Sequence, residues 1–208
     1  MTMHKRCRTG LAMAIALGAL VACSTPEAIP DFRYYRLAPA AQIAALPAPL
    51  LDRPLVVAGF RADGVHGERP ILYATDSDSI KVTQYHYQLW NDPPPVLVQR
   101  RLQELLDGAN VSAYVTDRLS SRQPSYRLSG VIYRFERVLV GGQPTEVVFA
   151  VRLRLQGDSK ERPLVESDEL VRVPVAGSRV EDGAIALSSA IDEVARRLID
   201  ALQKRQAP

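Results

Sequence analysis

Two long stretches, residues 126–140 and 145–156, flank the pair Gly141-Gly142. Glycine reaches positive φ without a Cβ clash, which is what a tight hairpin turn demands, so this spacing predicts an antiparallel hairpin. In the second arm Val147, Phe149, Val151, Leu153 and Leu155 alternate with Glu146, Arg152, Arg154 and Gln156. That period of two describes a strand with one face buried and the other wet. In the first arm the alternation changes phase near Gly130, which predicts a bulge there. A lone hairpin is marginal in water, so this one must recruit further layers. Residues 164–175 supply a third strand of the meander.

The remaining elements follow from the same reasoning. Residues 32–37 read as a short strand, and 40–46 as a helical turn inside a proline-containing loop. The apolar run at residues 55–60 suits a strand covered on both faces. Residues 71–74 and 80–90 read as strands around a polar turn at 76–79, with Tyr85, Tyr87 and Leu89 on one face. Asp92 is the expected N-cap of a helix through Pro94, whose stripe is Val98, Leu102, Leu105 and Ala109, with Gly108 near its end. Residues 111–116 read as a strand. A long C-terminal helix opens at Asp182-Gly183 and carries Leu187, Ile191, Val194, Leu198 and Leu202 at helical spacing. The expected fold class is α+β, a mainly antiparallel sheet with two helices packed on one face.

The N-terminus has a separate logic. Lys5, Arg6 and Arg8 precede an apolar run, and the run ends in Leu20-Val21-Ala22-Cys23. From Gly10 to Ala22 it is 13 residues long, short of the roughly 20 a spanning helix needs. Basic patch, apolar core and small residues before a cysteine read as a bacterial lipoprotein signal, with cleavage between Ala22 and Cys23. The Cys23 thiol would then carry a diacylglyceryl group and its new amino group an acyl chain. The expected organisation is a signal peptide over residues 1–22, a lipidated cysteine and flexible tether over 23–31, and a single periplasmic α+β domain over 32–208. Ser24 after the cysteine agrees with export to the outer membrane in the enterobacterial sorting rule.

This reading changes the composition argument. The whole chain has 26 Lys+Arg against 23 Asp+Glu. Three of the cations lie in residues 1–22, so the mature chain is balanced and its charge argues for no nucleic-acid partner. The two cysteines are Cys7, lost with the signal, and Cys23, so no intramolecular disulfide is expected in the mature chain.

The catalytic inventory is thin. No Gly-x-Ser-x-Gly elbow or phosphate-binding Gly-Lys-Ser/Thr loop is present. His66 and His86, with Asp76 or Asp78, match no standard metal spacing. Glu166 and Asp168 share a strand face, where a solvated edge is the ordinary arrangement. No catalytic residue, metal site or cofactor is expected beyond the lipid on Cys23. The aromatic stretch around Tyr85, Tyr87 and Trp90 is a candidate partner interface, against the competing reading of these rings as core.

The Leu20–Cys23 signal, the Tyr34-Tyr35-Arg36-Leu37 strand, and the blocks Ile71-Leu72-Tyr73 and Tyr85-His86-Tyr87-Gln88-Leu89-Trp90 leading to Pro93-Pro94 resemble the ABC-type transport auxiliary lipoproteins. The resemblance implies a non-enzymatic lipoprotein subunit of an ABC/MCE-type system for lipids or organic compounds. It would dock an MCE-domain protein, and through it the ABC permease and ATPase, to a membrane. The implied location is the cell envelope, lipid-anchored and facing the periplasm at the outer membrane. Homo-oligomerisation stays open. The alternative is an envelope lipoprotein that assists assembly or regulates cell-wall or outer-membrane machinery.

Overall fold

In the structure, a computed structural model, the expected hairpin is the spine of the molecule. The described residues are 30–76, 78, 80–119, 123–157 and 162–206. Strand β7 (Tyr126–Val140) turns through Gly141 and Gly142, at φ 60° and 80°, into β8 (Gln143–Gln156). Two positive φ values in a two-residue loop match the right-handed twist of the flanking strands. β8 then pairs antiparallel with β9 (Val165–Pro174). The phase change of β7 lies between Ile132 and Arg134, a little beyond Gly130. Gly130 has a different task. A Cβ there would collide with the Phe60 ring and approach the Arg152 carbonyl oxygen to 2.8 Å, so glycine allows Phe60 to lie flat against the strand.

The other edge of β7 corrects the expected sheet. Three short strands, β2 (Leu55–Val57), β3 (Arg61–Ala62) and β4 (Pro70–Ala74), lie along it in succession, opposite residues 126–128, 131–132 and 136–138. All three run parallel to β7. Further parallel pairs join β2 to β6 (Val115–Thr116) and β1 (Arg33–Tyr35) to β5 (Val82–Trp90). The nine-stranded sheet is therefore mixed, not mainly antiparallel. The physical reason is that β2, β3 and β4 are pieces of one extended path. Its breaks at residues 58–60 and 63–69 never reverse the chain, so these neighbours in sequence cannot pair with each other. Reversal comes only after β4, where β5 returns antiparallel.

Both helices, α1 (Pro94–Gly108) and α2 (Val180–Gln206), join one apolar cluster with the inward faces of β7, β8 and β9. Leu187, Ile191, Val194, Leu198 and Leu202 are each no more than 3% exposed, as the stripe predicts. Truncating such a residue to alanine costs about 2–5 kcal/mol. The ends of α1 differ from expectation. Pro93 occupies the N-cap without a side-chain bond, while Asp92 accepts from Arg100 Nη1 at 2.7 Å. At the other end Asn110, at φ 56°, takes the left-handed position. The Asn110 N–H donates to Asp107 O and the Val111 N–H to Leu106 O, the paired bonds of a Schellman motif. Residues 40–46 form no helical turn. They are pinned instead by Ala41 N donating to Asp192 Oδ2 (3.4 Å) and Leu46 N donating to Ala109 O (3.0 Å). Among the described residues no helix is long and apolar enough to cross a membrane.

Candidate functional site

The aromatic stretch of β5 is divided by the sheet. Between its pairings with Pro70 and Leu72 of β4, β5 takes up extra residues. This bulge lets Tyr85 and Trp90 both face the core, although they are an odd number of residues apart. Trp90 is 1% exposed and packs on Phe135 at 5.4 Å, which meets Phe149 edge-on at 5.7 Å. Trp90 is thus a core residue, which corrects its candidacy for a presented interface. Tyr85 is half-buried, meets the Tyr73 ring at 4.7 Å with a tilt of 44°, and accepts a hydrogen bond from Arg137 Nη1 at 2.8 Å. Burial raises its hydroxyl pKa above the usual value. Tyr85 therefore does not share the face of Tyr87, contrary to the alternation.

Tyr87 points the other way. Its ring lies 5.5 Å from that of Phe32, which is 56% exposed. Tyr34 of β1, also well exposed, carries the Arg69 guanidinium over its ring at 5.2 Å. Arg69 is held by a bond from its Nε to Trp90 O at 3.0 Å. Phe32, Tyr34 and Tyr87 thus make a small apolar patch with a cation at its rim. It sits on β1, at one end of the sheet order. Clustered Tyr and Phe with Arg is the composition that protein interfaces favour.

Buried charge lies elsewhere, and the sequence reading did not single it out. Arg101 of α1 grips Asp192 of α2 through Nε–Oδ1 (2.7 Å) and Nη2–Oδ2 (2.8 Å), and also donates to Ala38 O and Pro39 O. A signal was present: Arg101 lies four residues from both Leu97 and Leu105, inside the buried stripe. Arg137 donates to Tyr85 Oη and to the carbonyls of Ser178 and Arg179, just before α2. Gly183 makes room for it, since a Cβ there would lie 2.6 Å from Arg137 Nε. On the opposite face of β7, Glu136 accepts from Arg134 at 2.8 Å and stands 3.8 Å from His66 Nε2. Burial, with help from Arg134, lowers the His66 pKa below the usual value, against the pull of Glu136.

His66 and His86 do not converge on Asp76 or Asp78, and no group of three metal-ligating side chains exists among the described residues. Glu166 and Asp168 lie on the outer face of β9. Asp168 is paired with Arg152 at 2.7 Å, which lowers its pKa, and is well exposed. Ala22 and Cys23 lie outside the described residues.

Comparison with known proteins agrees with this architecture. No curated protein matches the chain. A Xanthomonas campestris protein of the family DUF330 is 20% identical, with 84% of this chain and 98% of that one covered, at a TM-score of 0.67. A second solved structure, of an uncharacterized protein, is 14% identical over 82% of this chain and 98% of the other, at a TM-score of 0.62. At such identities the likeness is one of fold. The family model described as ABC-type transport auxiliary lipoprotein component matches residues 35–198, from the buried Tyr35 of β1 to Leu198 on the apolar stripe of α2. The chain belongs to the ABC-type transport auxiliary lipoprotein family.

Proposed function

We propose that this chain is a non-enzymatic subunit that docks the periplasmic MCE component of an ABC-type lipid or organic-compound transporter to a membrane. In this reading residues 1–22 are a signal peptide, and Cys23 carries the diacylglyceryl and N-acyl lipid. Residues 24–31 tether the domain to the outer membrane. The MCE-domain protein, and through it the permease and ATPase, meets the domain at Phe32, Tyr34 and Tyr87. The observation that carries the reading is the family match, because an auxiliary component must touch its transporter. The aromatic patch supports it as the apolar surface on β1 and β5 that the core does not consume.

The test is Tyr87→Glu in the full-length protein. A carboxylate there places an unpaired charge in a desolvated contact. Cross-linked pull-down from solubilised envelopes should recover the MCE-domain protein at least tenfold less, with the melting temperature unchanged. Normal recovery would remove this patch from the docking surface. Recovery of cell-wall synthases or outer-membrane assembly proteins in place of a transporter would overturn the docking role itself.

A further inference from the structure

Val151, Leu153 and Leu155 of β8 point into the core, so Arg152 and Arg154 point to the sheet face away from the helices. On that face lies a groove of about 400 Å³. Ser129 and Tyr133 of β7 line it, with Arg61 of β3 on one side, Arg152 and Arg154 of β8 on the other, and Glu166 of β9 beyond them. The strand register explains the convergence. Arg61 lies opposite Val131, which lies opposite Arg152, and Ser129 lies opposite Arg154. Two strand spacings, roughly 10 Å, separate the Arg61 backbone from that of β8, a span that arginine side chains lining one groove from both sides can bridge with a small ligand between them.

The three guanidiniums are not equivalent. Arg152 is committed, with Nε and Nη2 on Asp168 at 2.7 and 3.1 Å and its plane over Tyr133 at 5.5 Å. Arg61 and Arg154 have no acceptor among the described residues. Glu166 is directly across the ladder from Arg154, yet the two form no ion pair. Among the described residues the groove therefore offers two guanidinium forks without an acceptor plus the hydroxyl of Tyr133, while the Ser129 hydroxyl already donates to the Arg154 carbonyl and Glu166 stands at the rim. A planar fork of N–H donors matches the oxygens of a phosphate in paired bonds. A tetrahedral anion presents oxygens to both sides of the groove at once, which a flat carboxylate does less well.

We propose that this groove binds a phosphate group, with Arg61 and Arg154 as its charged ligands. The inference goes beyond the docking role and does not depend on it, because it concerns the isolated protein. Two sources share the chemistry, a free phosphate and a phospholipid headgroup. The experiment is calorimetric titration of the full-length protein, in neutral maltoside detergent, with inorganic phosphate and with dihexanoyl-phosphatidylglycerol. Saturable binding of either probe is expected, weakened about tenfold in both Arg61→Gln and Arg154→Gln. Losing a charge-assisted pair has that scale. Both side chains are exposed, so unchanged melting of the variants is the folding control. Binding of inorganic phosphate alone identifies a free-phosphate site. Binding of the lipid, competed by phosphate, identifies a headgroup site. Binding by neither probe, equal affinity in the variants, or equal binding of acetate would overturn the proposal.

Discussion

Arg101 and Arg137 are both almost inaccessible, at 5% and 2% exposure, and they are held in opposite ways. Arg101 has a carboxylate in fork-to-fork geometry, and the carbonyls of Ala38 and Pro39 take two more of its donors. Arg137 meets no carboxylate among the described residues. Its acceptors are a phenol and two carbonyls, its Nε has none, and it lies under the N-terminal end of α2, where the helix dipole is also positive. The face of Tyr85, 5.7 Å from the guanidinium, offsets part of that repulsion. The contrast separates two uses of a buried cation. Arg101 is a clamp that fastens residues 38–41 and both helices together. Arg137 fills space beneath a helix end that Gly183 leaves open.

The largest test of this contrast is Asp192→Ala. It strands the Arg101 charge in the interior, for which about 3–5 kcal/mol of lost stability is expected in urea unfolding. A loss under about 1 kcal/mol would mean that water reaches Arg101 and that the clamp is weak. Arg137→Met should do far less. Removing a buried charge that meets no carboxylate offsets the loss of its bonds to Tyr85 and two carbonyls, so the change should stay within about 1 kcal/mol. A cost near that of Asp192→Ala would show that the Tyr85 and carbonyl contacts serve Arg137 as well as a carboxylate serves Arg101.

The smallest effect lies on the opposite face of β7, where His66 meets Glu136. The folded state holds the His66 pKa below its usual 6.5, so the unfolded chain binds the proton more readily. Stability from this residue is complete above about pH 6.5 and falls as the pH drops toward the depressed folded value. The melting temperature of the wild type should therefore decline on acidification through that window more than that of His66→Gln. Parallel pH profiles would show that protonated His66 gains enough from Glu136 to cancel its burial.

The sequence reading did best where one local rule acts alone. Gly141-Gly142 between alternating arms announced β7 and β8, and the stripe from Leu187 to Leu202 announced α2, because a turn or an amphipathic face needs only near neighbours. It missed the parallel pairs of β2, β3 and β4. Short apolar runs carry no record of whether the loops between them reverse the chain. It also joined Tyr85 to Tyr87, because the irregularity that separates them arises from the match between β4 and β5 and not from β5 itself. Arg101 and Asp192 are 91 residues apart, and nothing near either one names the other.

The amino-acid sequence by itself determined the hairpin, the two helices and the buried stripes, since periods of 2 and 3.6 residues are written in local order. It also carried the family resemblance that the match over residues 35–198 bears out. Only the tertiary structure decided which edge of β7 received the parallel strands, which aromatic of β5 went inward, and which arginine met a carboxylate. Those choices depend on which distant segments compete for the same surface, and burial makes the outcome energetically decisive.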